Sequence, residues 1–264
     1  MPNKKVLLAM SGGVDSSACA IILRNQGYDV TGVTLNMIKE NELAIKDAKM
    51  VCEKLGINHI TIEADEIFKN KVIDDFVETY KNVETPNPCI QCNIYLKFGI
   101  LYEYMEKNNY DYIATGHYAK VVYADSLGQN VIAKAKSEKK DQSYVLYGIE
   151  KEKLNHIIFP LADFESKEEV KEFLVKENFE TISRKKDSQE ICFIKDNDFG
   201  KYLNEIAGIS SKIGNVVDKY GKVLGQHKGL IYYTIGQRKG LRYFEFNAII
   251  YSRIKQREKR NCIR

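Results

Sequence analysis

The run Lys5-Val6-Leu7-Leu8-Ala9-Met10-Ser11-Gly12-Gly13-Val14-Asp15-Ser16-Ser17 limits what this chain can become more than any other stretch. Residues 6–10 are apolar and follow two lysines, which reads as a buried strand of a parallel sheet. Ser11-Gly12-Gly13 is a turn in which glycine allows positive φ and close backbone approach to a ligand. Residues 14–25 have helical spacing, with Val14, Ala18, Ile21 and Ile22 on one face. Strand, glycine turn and helix start together make an anion cradle, because free N–H groups and the positive end of the helix dipole face one point. Ser11, Ser16 and Ser17 could add hydroxyl donors. The loop lacks the lysine of a Walker A motif, and no G-x-G-x-x-G follows the strand. Asp15 inside the cradle is ill suited to phosphate alone but suits pyrophosphate that arrives with Mg²⁺. The plainer alternative is a polar turn before a surface helix. Strand, Gly-Gly, acid and Ser-Ser in register argue against it.

Ser11-Gly12-Gly13-Val14-Asp15-Ser16 resembles the pyrophosphate loop of the ATP pyrophosphatase family. The resemblance implies cleavage of ATP to AMP and pyrophosphate, with adenylation of an oxygen on a second substrate. It also implies nucleotide contacts from Ala9, Met10, Ser11, Gly12, Gly13, Val14, Asp15 and Ser16, with Leu35 and Gly116 beside them. It does not choose the second substrate.

At 264 residues the chain can hold one large α/β domain and a small second one. No apolar run is long enough to span a membrane, and the first strand begins at once, with no signal peptide ahead of it. A cytoplasmic protein with no membrane partner is expected. The net charge of +4 permits a nucleic-acid partner without requiring one. Six cysteines in such a chain suggest catalytic, metal-binding or buried roles rather than a disulfide scaffold.

Residues 29–35 read as a second strand, 41–55 as a helix with Leu43, Ala44, Ala48, Val51 and Leu55 inward, 59–62 as a third strand and 67–81 as a helix. Cys19 and Cys52 read as small core residues. The alternation predicts a doubly wound parallel sheet, with ligands beyond the carboxyl ends of its strands. Thr85-Pro86-Asn87-Pro88-Cys89-Ile90-Gln91-Cys92-Asn93 carries two of the four prolines and reads as a rigid loop before a helix over 93–107. Cys92, placed at that helix start, would be a thiolate nucleophile stabilised by the dipole. A zinc site would want a second C-x-x-C or a histidine pair, and the sequence offers neither.

Residues 112–115 read as another buried strand, with Gly116 and His117 at its ligand end. A hairpin follows over 121–136, then a helix opening at 139–146 with Asp141 as cap. Lys140 and Gln142 there could either be solvated or touch phosphate and ribose. Ser166 with Glu169 forms a capping box for a helix over 167–176. Residues 184–194 turn from basic to apolar around Cys192, which by itself could be a core cysteine, residues 199–206 look helical, and 212–224 reads as a hairpin. Residues 225–240 interleave basic, aromatic and glycine residues, a mixture that suits RNA.

The ordered set is the pyrophosphate loop, Asn87-Pro88-x-x-x-Cys92-Asn93, Thr115-Gly116-His117-Tyr118, Lys140-Asp141-Gln142-Ser143-Tyr144, Asp187-Ser188 through Ile194, and residues 225–241. It closely resembles the tRNA 2-thiouridylase family over residues 5–241. The resemblance implies a tRNA-uridine 2-sulfurtransferase with an adenine nucleotide α-hydrolase-like domain and a small, mostly β central domain. ATP with Mg²⁺ would adenylate the C2 oxygen of the wobble uridine in tRNAs for lysine, glutamate and glutamine. Cys192 would carry a persulfide delivered by a sulfur donor or relay protein, Cys92 would be the nucleophile, and the two would end as a disulfide. Asn87, Pro88 and Cys89 match the target-base loop. His117, Lys140, Asp141 and Gln142 match positions that touch tRNA. Many relatives have Asp where this chain has Cys89. That departure opens an alternative in which Cys89, Cys92 and Cys192 hold an iron–sulfur cluster. A further alternative is an inactive tRNA- and ATP-binding remnant. The expected organisation is a catalytic domain over 1–182, a central domain over 183–241, and a basic tail over 242–264. That tail is expected to replace the family's C-terminal barrel, with a frameshift near residue 242 as the hypothesised cause.

Overall fold

The N-terminal part contributes seven strands: β1 (Lys5–Ala9), β2 (Asp29–Asn36), β3 (Asn58–Glu63), β4 (Tyr112–Ala114), β5 (Ala119–Ala124), β6 (Gln129–Lys134) and β7 (Ile157–Ile158). The computed structural model describes residues 4–38, 42–82, 84–185, 191–194, 199–206, 208–209, 212–217, 220–233, 254–255 and 262–263. They divide into two units, residues 1–72 with 89–189 and residues 73–88 with 190–264.

The first unit is built on a five-stranded sheet in the order β3-β2-β1-β4-β7, parallel throughout. Val6, Leu7 and Leu8 of β1 are fully buried, as the apolar run required. Truncating one of these leucines to alanine would cost about 2–5 kcal/mol. Helices α1 (Val14–Asn25) and α2 (Glu42–Leu55) follow β1 and β2. Chain order runs outward from β1 in both directions, so the crevice at the carboxyl ends of β1 and β4 is the switch point where such sheets bind ligands. The doubly wound parallel sheet is therefore present as expected.

Cys19 and Cys52 are core residues, both fully buried. Burial pushes the Cys52 thiol up to about 11. Leu43, expected inward on α2, is instead 70% exposed, because the inward face begins only at Ala48.

The next helical stretch contains α3 (Asp65–Phe68), a π turn over Lys69–Ile73, and α4 (Asp74–Lys81). α5 (Pro88–Cys92) leads into a π-helical run, Asn93–Ile100, and then α6 (Leu101–Lys107). The helix expected to open at Asn93 thus opens five residues earlier. Pro88 takes the first helical position, where a missing N–H costs nothing and φ is already set. Residues 139–142 are not helical either; only a 3₁₀ turn, Ser143–Leu146, forms there. Asp141 does not cap it. Its carboxylate accepts from the Ala135 N–H at 3.0 Å and the Ser143 hydroxyl at 2.7 Å. β5 and β6 form the expected hairpin. α7 (Lys167–Lys176) starts at Ser166, whose hydroxyl accepts from the Glu169 N–H at 3.1 Å, and α8 (Glu180–Ser183) follows.

In the second unit, Phe76 of α4 packs edge-on against Phe193 at 5.2 Å and Tyr80 at 5.0 Å, with Ile194 and Leu203 buried beside them. Helical residues continue through α9 (Phe199–Lys201) and a π turn, Tyr202–Ile206. β8 (Gly214–Val217) and β9 (Val223–His227) pair as the hairpin read from the sequence. Two short strands, β10 (Ile254–Lys255) and β11 (Cys262–Ile263), extend that sheet in the order β10-β11-β8-β9. The rest of the 242–264 tail, with residues 186–190 and 234–240, lies outside the described residues.

Candidate active site

Ser11–Ser16 leaves the carboxyl end of β1 and becomes the first turn of α1. Met10 is fixed to the neighbouring strand by its N–H on the Val33 carbonyl at 2.8 Å. Gly12 has φ +69°, and a Cβ there would lie 2.5 Å from Asp47 Cβ, so the loop presses against α2 as only glycine allows. Gly13 is the N-cap of α1 and supplies no side chain to cap it, which leaves the helix start available to an anion. The hydroxyls brace the loop more than they line it. Ser17 is fully buried and donates to the Gly13 carbonyl at 2.8 Å, and Ser16 accepts from the Ser11 N–H at 3.3 Å. Ser17 is thus removed from the expected ligand donors. Val14 is buried beneath the turn, and Leu35, also buried, closes the carboxyl end of the adjacent β2.

Asp15 is gripped from two distant places. The Tyr118 hydroxyl donates to its Oδ1 at 2.9 Å, and the Lys167 ammonium lies 2.6 Å from its Oδ2. Tyr118 is itself clamped by Gln142, whose Oε1 accepts the Tyr118 N–H at 3.0 Å while its N–H donates to the Tyr118 carbonyl at 2.8 Å. Lys185 Nζ donates to the Gly12 carbonyl at 2.8 Å and pairs with Asp47 at 2.5 Å. Tyr118, Lys167 and Lys185 were not singled out as site residues from sequence, though Tyr118 stands within a quoted motif and Lys167 directly follows the Ser166 cap.

At the end of β4, a Cβ on Gly116 would sit 3.0 Å from Asp15 Cβ, so this glycine permits the strand end to touch the loop. His117, the next residue, is buried rather than on the surface. Its Nδ1 shares a 2.7 Å hydrogen bond with Thr115 Oγ1, and its ring lies 6.1 Å from those of Phe98 and Phe159. Lys97 Nζ is 3.5 Å from His117 Nε2. Burial, with the Lys97 charge adding to it, holds the His117 pKa well below the usual histidine value, so the ring is neutral at physiological pH.

Lys97 also bears on Cys92. Burial pushes the Cys92 thiol up, and the Lys97 ammonium pulls it back down. The dipole-stabilised thiolate expected there is not found, because Cys92 ends α5 inside a continuous helical run instead of starting a helix. Asn93, beside it, donates to the Val145 carbonyl at 3.0 Å and leaves its buried Oδ1 without a partner. Cys89 and Asn87 are exposed and Pro88 is buried. In the second unit Ile191 and Phe193 pack into the aromatic core and leave Cys192 exposed, so it is not a core cysteine. Lys140 is half-buried, with its N–H on the Ser137 carbonyl at 3.2 Å. Of the basic and aromatic block, His227 is buried, and Lys228 Nζ lies 4.4 Å from the Tyr232 ring centroid.

Asp15 fits a role in holding Mg²⁺. Its side chain is 31% exposed, and its two hydrogen-bonded contacts leave lone pairs for a cation carried mainly by phosphates. Among the described residues no three His, Cys, Asp or Glu side chains are grouped to hold a metal. Also among them, no helix is long and apolar enough to cross a membrane.

Residues 4–196 match the tRNA methyl transferase HUP domain family, and residues 200–263 match the tRNA methyl transferase PRC-barrel domain. The tRNA-specific 2-thiouridylase MnmA of Clostridium acetobutylicum is 47% identical over 251 residues, covering 90% of this chain and 70% of that one. The protein of that name from Clostridioides difficile is 44% identical over 250 residues, covering 90% and 69%. The one from Carboxydothermus hydrogenoformans is 47% identical over 252 residues, covering 90% and 68%.

Proposed function

Since the chain belongs to the family of the tRNA-specific 2-thiouridylases, we propose that it replaces the C2 oxygen of the wobble uridine in tRNA by sulfur, with ATP as activating co-substrate. The observation that carries this is the junction at the end of β4. Gly116 touches Asp15 of the anion loop, and its neighbour His117 touches Lys97 of the helix that bears Cys92. Nucleotide loop and candidate nucleophile are therefore joined through two consecutive residues. An amide-forming relative of the loop would have no use for the thiol.

The C2 oxygen is a poor leaving group. Bonding it to the α-phosphorus of ATP, with release of pyrophosphate, turns it into part of AMP. The loop's contribution is to hold the triphosphate in line and to spread the charge that develops on it. Magnesium bound with the nucleotide would be held on the protein side by Asp15 and would neutralise phosphate charge. The terminal sulfur of a persulfide on Cys192 then bonds to C2 as AMP departs. Cys92, mostly protonated in the free protein, attacks Cys192 Sγ through the thiolate fraction that the Lys97 ammonium favours, the S–S bond to the transferred sulfur breaks, and a Cys92–Cys192 disulfide remains for a thiol reductant to reopen. A reducing, cytoplasmic setting belongs to this reading, since the chemistry starts from free thiols. The persulfide comes from a donor or relay protein, and the tRNAs are those for lysine, glutamate and glutamine. Asn87, Pro88 and Cys89 face the target base in this reading, and Lys140 approaches the tRNA backbone. Asp141 and Gln142 serve from behind, since their side chains are turned to Ala135, Ser143 and Tyr118. The cluster-dependent thiolase and the inactive remnant are not favoured.

The test is nucleoside mass spectrometry on tRNA from cells that lack wobble-uridine thiolation and express this chain. Return of 2-thiouridine is expected. Its absence, with the protein folded and abundant, would overturn the reading.

A further inference from the structure

The sulfur chemistry above uses Cys92 and Cys192 and gives Cys89 no reaction of its own, although Cys89-Ile90-Gln91-Cys92 has the spacing of a thiol–disulfide exchange pair. α5 carries both cysteines on one short helix. Residues three apart on a helix have Cα atoms about 5 Å apart, inside the span of about 4.4–6.8 Å that a disulfide bridges. The two sulfurs differ in access. Cys89 is exposed, whereas only 8% of Cys92 is. They also bear on one another: burial does most to raise the Cys92 thiol, the Lys97 ammonium opposes it, and the nearness of Cys89 raises it further. Cys19 and Cys52 are sealed in the core and cannot take part. Each turnover of the reaction above ends with Cys92 in a disulfide, its sulfur largely shielded from solvent thiols but one helical turn from Cys89. A thiol held that close acts at a local concentration that no free thiol in solution reaches.

We propose that Cys89 is a third catalytic thiol, which resolves the product disulfide from within the chain. Its thiolate bonds to Cys92 Sγ, the Cys92–Cys192 bond breaks, and Cys192 leaves with the electron pair and takes up the proton that Cys89 gave up. This step has no net oxidation or reduction. It moves the disulfide to Cys89–Cys92 and frees Cys192 for the next persulfide. A dithiol reductant then attacks exposed Cys89 Sγ, and Cys92 departs as a thiolate favoured by the Lys97 charge. The reductant's second thiol closes on the mixed disulfide and releases Cys89. Two electrons thus pass from the reductant to the cysteine pair, and the reductant leaves as its own disulfide. The role rests on the sulfur-transfer reading above, but the exchange itself can be measured without tRNA.

The experiment uses the full chain and has two arms. In the first, the protein is equilibrated in glutathione redox buffer without tRNA, quenched by alkylation and mapped by mass spectrometry. A Cys89–Cys92 disulfide with Cys192 free is expected in the unaltered chain, and a Cys92–Cys192 disulfide in Cys89→Ser. In the second, 2-thiouridine formation is followed through the first and later turnovers with a dithiol reductant present. Cys89→Ser should lower the ratio of the steady-state rate to the first-turnover rate at least tenfold. The ratio cancels any effect of the substitution on tRNA binding or on the first transfer, which a merely structural role would change instead. Failure of the Cys89–Cys92 disulfide to form in the unaltered chain, or an unchanged ratio in the variant, overturns the proposal. A Cys89–Cys92 disulfide in a protein that makes no 2-thiouridine would sink the proposed function and leave the exchange between the two thiols standing.

Discussion

The Tyr118 hydroxyl donates to Asp15 Oδ1 at 2.9 Å across 103 residues of chain. The nucleotide loop is thus held from the end of β4 as well as from its own strand. Hydrogen bonds to charged groups contribute about 1.5–3 kcal/mol, and the partial exposure of Asp15 brings this one towards the low end. Tyr118→Phe should therefore raise the KM for ATP roughly tenfold while circular dichroism is unchanged. Gln142→Ala, which loosens Tyr118 without touching Asp15, should give a smaller change in the same direction. Steady-state kinetics with varied ATP checks both, and an unchanged KM in Tyr118→Phe would remove the bond from the functional account.

Gly116→Ala places a methyl group 3.0 Å from Asp15 Cβ and 3.4 Å from the Ser16 nitrogen. Loop or strand end must yield by a few tenths of an ångström. The expected result is a modest loss of melting temperature, with ATP binding weakened severalfold in equilibrium titration. Gly116→Val should all but abolish binding.

Cys92 should behave as a suppressed thiol. Burial raises its pKa, so at neutral pH it is mostly protonated, and its alkylation by iodoacetamide should lag well behind that of exposed Cys89. Because the thiolate is the reacting form, the Cys92 alkylation rate should keep rising with pH beyond the range in which an ordinary free thiol levels off. Lys97→Met removes the charge that opposes burial and should move the Cys92 profile to still higher pH. Mass-spectrometric mapping of label against pH measures this, and a Cys92 profile coincident with that of a free cysteine peptide would refute it.

His117 has a folded pKa below its unfolded value of about 6.5. The unfolded chain therefore binds the extra proton first. The contribution of this residue to stability is complete above about pH 6.5 and declines as pH falls below it. Urea midpoints recorded from pH 8 to 5 should stay level and then drop, and His117→Gln should flatten the drop. A midpoint curve identical in the two proteins would count against it.

The central strands, the glycine loop and the Ser166 cap could be read from the sequence because each is written in neighbouring residues: apolar runs, a turn that only glycine makes, and a Ser-x-x-Glu spacing. β7 escaped notice, since two residues carry no periodicity. Pro88 was read as a loop residue because proline looks alike before a helix and at its first position. Asp141 was read as a cap because its true partners, Ala135 and Ser143, are reached only after the hairpin folds back. Periodicity alone places Leu43 inward, but the first turn of α2 extends past the surface it packs on, and burial begins only at Ala48. The grip on Asp15 by Tyr118 and Lys167, and of Lys185 on Gly12, could not have been found by spacing. They are contacts between ends of elements that only the finished sheet brings together.

That grip has a bearing on synthesis. β1 and the glycine loop leave the ribosome first, yet the tyrosine, the lysine on Asp15 and the lysine on Gly12 follow at positions 118, 167 and 185. A nascent chain arrested before residue 167 holds the whole loop sequence with an uncompensated carboxylate at its centre and should capture no nucleotide. Competence for ATP is therefore a late event in translation, and the growing chain is kept from occupying its own catalytic crevice until α7 and α8 have closed on the sheet.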